Sequence, residues 1–263
     1  MNDNRKKNKE RQAHIARLLE KNERINVNQL FEILQVSKET IRRDLKEMEE
    51  AGIIQRVHGG AVLSEASKGV KEYPLLTREI RNYSEKIRLC QKAAEYIEDG
   101  DTIFIDNSST TLNLVSYIPQ DYRVTIITNS IRLLVEASIE EHPSLTFICL
   151  GGLLKSKNYS LTGVMAVEQI HNFRPNKAFV SCHGISTTDG ITDGSIYEVD
   201  AKREMLKQAK KTFLLADSSK IGKTGVVVLS QFDFIDCLIT DETVSEEYRH
   251  FIESQGTEIV TLQ

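Results

Sequence analysis

Tryptophan is absent from this chain of 263 residues, aromatic residues make up only 6% of it, and its four cysteines, Cys90, Cys149, Cys182 and Cys237, stand singly with no C-x-x-C pair. Isolated cysteines argue against a zinc ribbon or a redox dithiol and leave each thiol as a small hydrophobe. No stretch approaches the roughly 18 consecutive apolar residues of a membrane span. The N-terminal MNDNRKKNKERQ is too charged for a secretory signal, so no membrane partner is expected and the chain is placed in the cytoplasm. The histidines, His14, His58, His142, His171, His183 and His250, show no metal-ligand spacing, and neither a metal nor another cofactor is expected. Internal repeats and low-complexity tracts are missing too. With 40% hydrophobic and 27% charged residues, what remains is a globular protein long enough for one small and one medium domain.

Charge is unevenly divided. Residues 1–63 carry 13 Lys and Arg against 10 Asp and Glu, a formal +3, whereas the other 200 carry 21 against 28, a formal −7. The basic end is the small end, which points to an anionic partner there. Ile15, Leu18 and Leu19 mark one helix, Leu30, Ile33 and Leu34 a second, and Ile41, Leu45 and Met48 one face of a third. Ser37 is placed to N-cap the third helix and Gly52 to stop it. Beyond it, Ile53 to Val57 and Ala61 to Leu63 read as two strands joined across His58-Gly59-Gly60, whose glycines tolerate positive φ. Three helices followed by a hairpin are the order of a winged helix-turn-helix. With its apolar face inward, the third helix presents Lys38, Glu39, Arg42, Arg43 and Lys46 outward, as a recognition helix does in the DNA major groove. Arg42 and Arg43 suit bidentate contacts to guanine, while Ser37, Thr40, Arg56 and His58 suit phosphates. The bland alternative is a solvated helix laced with charge pairs such as Glu39 with Arg43.

After Leu63 the run Ser64-Glu65-Ala66-Ser67-Lys68-Gly69 has no apolar periodicity, and a linker over 64–82 is expected to separate the 1–63 domain from a second one over 83–263. A helix from Tyr83 through Ile97 opens the second domain. From there strand-like runs (102–105, 124–128, 145–150) alternate with helical ones (112–118, 131–138, 163–171), and four further strands follow over 178–181, 212–216, 237–240 and 257–262. Such alternation predicts an α/β sheet with mainly parallel strands. Ligands bind these sheets beyond the carboxyl ends of the strands. The residues there are small and polar: Asp106-Asn107-Ser108-Ser109-Thr110 after the first strand, Thr128-Asn129-Ser130 after the second, Gly151-Gly152 after the third, Cys182-His183-Gly184 after the fourth, and Asp217 to Lys220 after the fifth. Hydroxyls and free amides at helix N-termini suit a phosphate, to which Lys220 adds a cation. Any one of these loops also reads as a plain helix cap.

The stretch VSKETIRRDLKEMEEAGIIQRVHGGAVL, Val36 to Leu63, closely resembles the N-terminal signature of the DeoR family of bacterial transcription regulators, V-S-x-x-T-I-R-R-D-L followed by G-x-(I/L)-x-R-x-H-G-G-A. The resemblance implies a double-stranded DNA operator, with Thr40, Arg42 and Arg43 important for binding and Asp44 orienting an arginine. Asp106 to Thr110, Thr128 to Ser130, Leu150 to Gly152, Ala216 to Gly222 and Leu238 to Asp241 are similar to the D-x-x-S/T-T, T-N-S, L-G-G, A-D-S-S-K-x-G and L-I-T-D runs of that family's effector-sensing domain. It thus covers nearly the whole chain, and implies a fold similar to ribose-5-phosphate isomerase and a phosphorylated sugar as effector. Two departures change pocket polarity: Asn107-Ser108 stands where a glycine is common, and Cys182-His183 where a small residue or an acid precedes the glycine. The identity of the sugar therefore does not carry over.

The expected function is a repressor of carbohydrate-metabolism genes, released from its operator by the effector. The competing class is an isomerase-like enzyme with an accessory DNA-binding module. Asp106, Asp193, Glu198, Asp200, Lys202 and Lys220 are its nominal acid–base candidates, but they form no catalytic motif. A chromosome-architectural binder would have no use for the polar loops. One winged helix buries only about 600–1,000 Å² on DNA, so two half-sites, and hence a homo-oligomer held by the second domain, are expected.

Overall fold

The computed structural model describes residues 2–22, 24–64, 75–139, 142–241 and 244–262. The chain divides into two units, residues 1–84 and 85–263. No helix among the described residues is long and apolar enough to cross a membrane.

The first unit runs α1 (Asn2–Asn22), β1 (Arg24–Asn26), α2 (Val27–Leu34), α3 (Lys38–Glu50), β2 (Ile54–Val57), β3 (Gly60–Leu63) and α4 (Leu75–Ile80). Ile15 and Leu19 of α1 and Ile41, Leu45 and Met48 of α3 are buried, as their spacing predicts. In α2 only Leu30 is buried, and Ile33 is 46% exposed. The inward stripe of α2 is Val27, Leu30 and Leu34, and Ile33 lies about 100° to one side of Leu34 around the helix. Asn26 and Gln29 cap α2 reciprocally, and Ser37 Oγ accepts the Thr40 amide at 3.1 Å to cap α3.

Strand β1, too short to show as a pattern, pairs antiparallel with β3 and makes a three-stranded sheet in the order β1-β3-β2. This separates the roles of the two turn glycines. Only Gly59 takes a positive φ, 76°, whereas a Cβ on Gly60 would lie 2.2 Å from the Ile25 carbonyl oxygen of β1. Of the expected linker, residues 65–74 lie outside the described residues. Residues 75–80 instead form α4, whose Glu79 meets Lys9 of α1 at 3.5 Å.

The second unit runs α5 (Tyr83–Ala94), β4 (Thr102–Ile105), a 3-10 turn (Thr111–Tyr117), β5 (Val124–Thr128), α6 (Ile131–Ile139), β6 (Leu145–Cys149), β7 (Leu153–Lys155), β8 (Ser160–Thr162), α7 (Val164–Ile170), β9 (Lys177–Val180), β10 (Gly184–Ser186), β11 (Gly190–Asp193), α8 (Val199–Gln208), β12 (Lys211–Leu215), β13 (Val227–Ser230), β14 (Cys237–Thr240), α9 (Glu246–Ser254) and β15 (Glu258–Thr261). The helix expected over 112–118 is a 3-10 turn. Its Thr, Asn, Val and Ser residues are weak helix formers, and Ile118, which precedes Pro119, is extended.

Seven parallel strands form the sheet β15-β14-β12-β9-β4-β5-β6. Its central strands are buried on both faces and read as nearly continuous apolar runs. Phe179 of β9 and Phe213 of β12, paired across the strands, stack with centroids 4.8 Å apart. From β4 the chain steps outward through β5 to β6, then returns to β9 beside β4 and steps the other way. The order therefore reverses between β4 and β9, and in such sheets ligands bind beyond the carboxyl ends of the strands at this point. A β7–β8 hairpin and an antiparallel β10-β11-β13 sheet are added.

Replacing Gly60 by Ala forces the hairpin away from β1. The first unit should lose about 1–3 kcal/mol, as overpacking does, while Gly59→Asn, a residue that tolerates positive φ, costs less; urea unfolding of both variants measures the difference.

Candidate functional site

In the first unit α3 carries its charge on the outer face and one carboxylate on the inner. Asp44 is fully buried and accepts from Arg11 Nε and, at 2.8 Å, from Nη2. The hydrogen bonds that Arg11 donates to Asp44 hold its guanidinium above its usual range, against the effect of burial. The arginine that Asp44 orients thus comes from α1. Outward, Lys38, Arg42, Arg43, Arg56 and His58 are all exposed. Lys38 Nζ lies 5.5 Å from the Phe31 ring centroid, and Glu39 pairs with Arg42 at 3.6 Å rather than with Arg43. Thr40 Oγ1 and Ser37 Oγ are 2.9 Å apart. The Arg56 amide donates to Glu49 Oε1 at 3.1 Å and the His58 carbonyl accepts from Arg24 at 2.9 Å, which hold the wing by its backbone and leave both side chains outward.

In the second unit the loop after β4 lies at the strand-order reversal, and every residue from Asp106 to Thr111 is buried. Asp106 anchors it. Its Oδ1 accepts the Ser108 amide at 3.1 Å and the Thr111 hydroxyl at 2.5 Å; its Oδ2 accepts the Ser181 amide, at the end of β9, at 3.1 Å. Lys202 Nζ of α8 stands 3.2 Å from the same oxygen, 2.6 Å from Asp193 and 3.1 Å from the Ser181 carbonyl. Burial alone would depress the Lys202 ammonium, but Asp193, Asp106 and Glu198 outweigh it and raise it above its ordinary value.

Two more lysines take the loop's hydroxyls. Lys86 of α5, itself buried, donates to Ser109 Oγ at 3.0 Å. Lys220 donates to Thr110 Oγ1 at 3.0 Å and to Ser181 Oγ at 2.7 Å, with Asp217 at 3.9 Å. The Oδ1 atoms of Asn107 and Asn129 are buried and have no hydrogen-bond partner among the described residues. Cys182 is buried and its thiol is pushed up to about 12 by burial.

The remaining polar residues at the strand ends have internal work. Thr128 Oγ1 accepts the Ser130 amide, and Ser130 Oγ caps α6 at the Leu133 amide. The Gly151 amide donates to Gln169, and a Cβ on Gly152 would lie 2.5 Å from the Thr162 carbonyl oxygen. His183 is exposed, and Gly184 is glycine because Lys223 O would sit 2.1 Å from a Cβ there. The structure thus gathers Asp106 to Thr110, Ser181, Cys182 and Lys220. Sequence reasoning missed Lys86 and Ser181, and weighed Asp193 and Lys202 only as acid–base candidates. A signal for Lys86 existed: it shares the helical stripe of Leu89, Cys90 and Ala93, where an apolar residue is expected.

A winged helix with an outward arginine face, joined in one chain to an α/β unit with buried lysines at its switch point, is the architecture of a helix-turn-helix transcription regulator. Residues 11–67 match the DeoR-like helix-turn-helix domain and residues 81–242 the DeoR C terminal sensor domain. The chain belongs to the DeoR family of transcription regulators. It is 35% identical to the HTH-type transcriptional regulator GolR of Listeria innocua, over 92% of this chain and 94% of that protein. It is 29% identical to the glycerol-3-phosphate regulon repressor of Escherichia coli, over 89% and 91%. Among solved structures, ribose 5-phosphate isomerase A of Methanocaldococcus jannaschii aligns at 16% identity and TM-score 0.39, covering 53% of this chain and 55% of that one.

Removing the Lys202 ammonium leaves two buried carboxylates uncompensated, which costs about 3–5 kcal/mol. In the wild type this raised group contributes at every pH below about 10.4, the ordinary lysine value, and the contribution is lost only as pH rises through the folded value. Urea denaturation of Lys202→Met beside the wild type at neutral pH measures that cost.

Proposed function

We propose that the chain is a cytoplasmic repressor of carbohydrate-metabolism genes, in which residues 1–63 hold a double-stranded operator and residues 83–263 sense a phosphorylated sugar, or a related metabolite, that releases it. The observation that carries the effector half is the pair of ammonium groups on one hydroxyl loop, Lys86 on Ser109 and Lys220 on Thr110. A phosphate entering there gives the two ammonium groups anionic acceptors in place of neutral hydroxyls. Buried carbonyl oxygens without partners, as on Asn107 and Asn129, require donors, and sugar hydroxyls supply them. Phosphate and hydroxyls on one ligand therefore fit better than phosphate alone. That one relative is by name a repressor of a glycerol-3-phosphate regulon supports both the sign and the ligand class. Asp106 acts as a positioning residue, since its oxygens are already engaged.

On the DNA side, Arg42 and Arg43 read base edges, while Ser37, Lys38, Thr40, Arg56 and His58 meet the backbone. The exposed Arg42–Glu39 pair is worth at most about 1 kcal/mol, against about 1–3 kcal/mol for a bidentate guanine contact, so DNA displaces it. A single recognition helix per chain calls for two chains on two half-sites.

Arg43→Ala should weaken binding to a duplex selected from a random pool by about 1–3 kcal/mol and relax preference at one base pair. Arg56→Ala should weaken every duplex alike and make the salt slope shallower by roughly one; wild-type affinity in both variants refutes the assignment. For the effector, a thermal-shift panel should rank sugar phosphates above inorganic phosphate. Lys220→Ala should reduce the affinity of the best of them about tenfold to more than a hundredfold, while melting without ligand and DNA affinity stay near wild type. A variant that responds at wild-type concentrations removes Lys220 from the site.

A further inference from the structure

The turn of the wing, His58-Gly59-Gly60, has no lysine or arginine of its own, yet a guanidinium reaches it from another strand. Arg24, the first residue of β1, donates from Nη2 to the His58 carbonyl oxygen at 2.9 Å. The Gly59 carbonyl accepts the Val27 amide at 3.0 Å, and Gly60 packs directly against the β1 backbone at Ile25. The turn is thus fastened to β1 and the start of α2 at each of its residues. A free carbonyl oxygen at the tip would repel phosphate; here both are engaged, and one of them by a cation. Among the described residues no carboxylate pairs with Arg24, in contrast to Arg42, which meets Glu39, and Lys46, which meets Glu50. Its remaining N–H groups face solvent.

Strand pairing decides on which side each arginine leaves the wing. Directly paired residues share a face of a sheet, and successive residues alternate between faces. Arg24 pairs with Val62, which pairs with Gln55, whereas Ile25 pairs with Ala61, which pairs with Arg56. Ile25 and Ala61 are buried, so theirs is the face turned to the core. Arg24 therefore stands on the outer face. Arg56 stands on the inner one, and it is exposed because β2 is the edge strand. The two guanidinium groups leave one narrow ribbon in opposite directions.

We propose that Arg24 is a further DNA-contact residue, and that the wing straddles the minor groove beside α3 with Arg56 on the phosphates of one strand and Arg24 on those of the other. The inference rests on the reading of residues 1–63 as the operator-binding domain. With α3 in the major groove, the wing meets the adjoining minor groove, which is about 6 Å wide and has a phosphate backbone along each side. A ribbon entering it by the turn offers one face to each backbone, and a cation on each face satisfies both. Phosphate contacts of this kind fix register and orientation. Because the turn is fastened before DNA arrives, little conformational freedom is lost when it docks.

The test uses the full chain and a duplex that it selects from a random pool. Arg24→Gln keeps a side-chain donor for the His58 carbonyl and removes the charge. It should melt as the wild type does, lose about tenfold in affinity at low salt and make the salt slope shallower by roughly one, while Arg24→Lys keeps the charge and the wild-type slope. A residue that only braces the turn leaves the slope unchanged in both variants, and that result overturns the proposal. Phosphate ethylation interference assigns the strands: ethylation on both strands across one minor groove should block the wild type, with Arg24→Gln losing sensitivity on one strand and Arg56→Ala on the other. Loss on the same strand in both variants overturns the straddling. Should Arg24→Gln unfold, the wild-type pattern decides: blocked sites on both strands uphold the proposal, and on one strand alone overturn it. A wild type that selects no duplex refutes the operator reading and this inference with it, whereas a bound duplex with an unchanged Arg24→Gln slope removes the inference alone.

Discussion

An ammonium group shut away from water must be met by negative charge, and Lys202 is met by Asp193, Asp106 and the Ser181 carbonyl within 3.2 Å. Taking these charges out of water is costly, and their attraction offsets the cost only while all of them keep their places. One point therefore constrains four segments: the loop after β4, the end of β9, the end of β11 and the second turn of α8. Ser108 and Thr111 hang from Asp106, and through them the orientation of the whole hydroxyl loop. Lys86 and Lys220 meet hydroxyls whose positions were set by a third lysine that meets none.

The first unit uses the same device on a smaller scale. Asp44 lies on the inner face of a helix whose outer face is basic, and its bidentate partner Arg11 comes from α1. An inward carboxylate fixes the rotation of α3 about its own axis more sharply than Ile41, Leu45 and Met48 do, because a two-pronged hydrogen bond is directional and apolar contact is not. Rotation of that helix decides which arginines face a groove. In both units, then, a buried ion pair contributes placement of the residues next to it more than net stability.

Much of the fold was legible because the strands of the central sheet are apolar runs bounded by polar residues, and the helices between them carry a period of 3.6. Thr102–Ile105, Val124–Thr128 and Cys237–Thr240 appear where the pattern places them. What escaped was short or depended on partners. Strands of three residues, such as β1, β7 and β10, are below the length at which alternation can be counted, and they exist through pairing, β1 with the distant β3, β7 with β8 and β10 with β11. Ile33 misled because helical spacing admits two neighbouring stripes and only packing chooses between them. The 3-10 turn after Thr110 replaced an α-helix where β-branched and short polar residues precede a proline.

The sequence by itself determined the two-part architecture, the basic face of α3, the wing and the clustering of small polar residues after parallel strands. These follow from local patterns of charge, periodicity and turn chemistry, which act over a few residues and survive without a partner. Only the tertiary structure decided what those polar residues do. Ser130 became a cap, Gly184 a point of close approach, Asp106 an anchor and Lys86 a cation against Ser109, although all four were equally plain as letters. The physical reason is that hydrogen bonds and ion pairs in a buried site are short-ranged and saturable: which donor meets which acceptor depends on strand order, and strand order is a property of contacts between residues far apart in the chain.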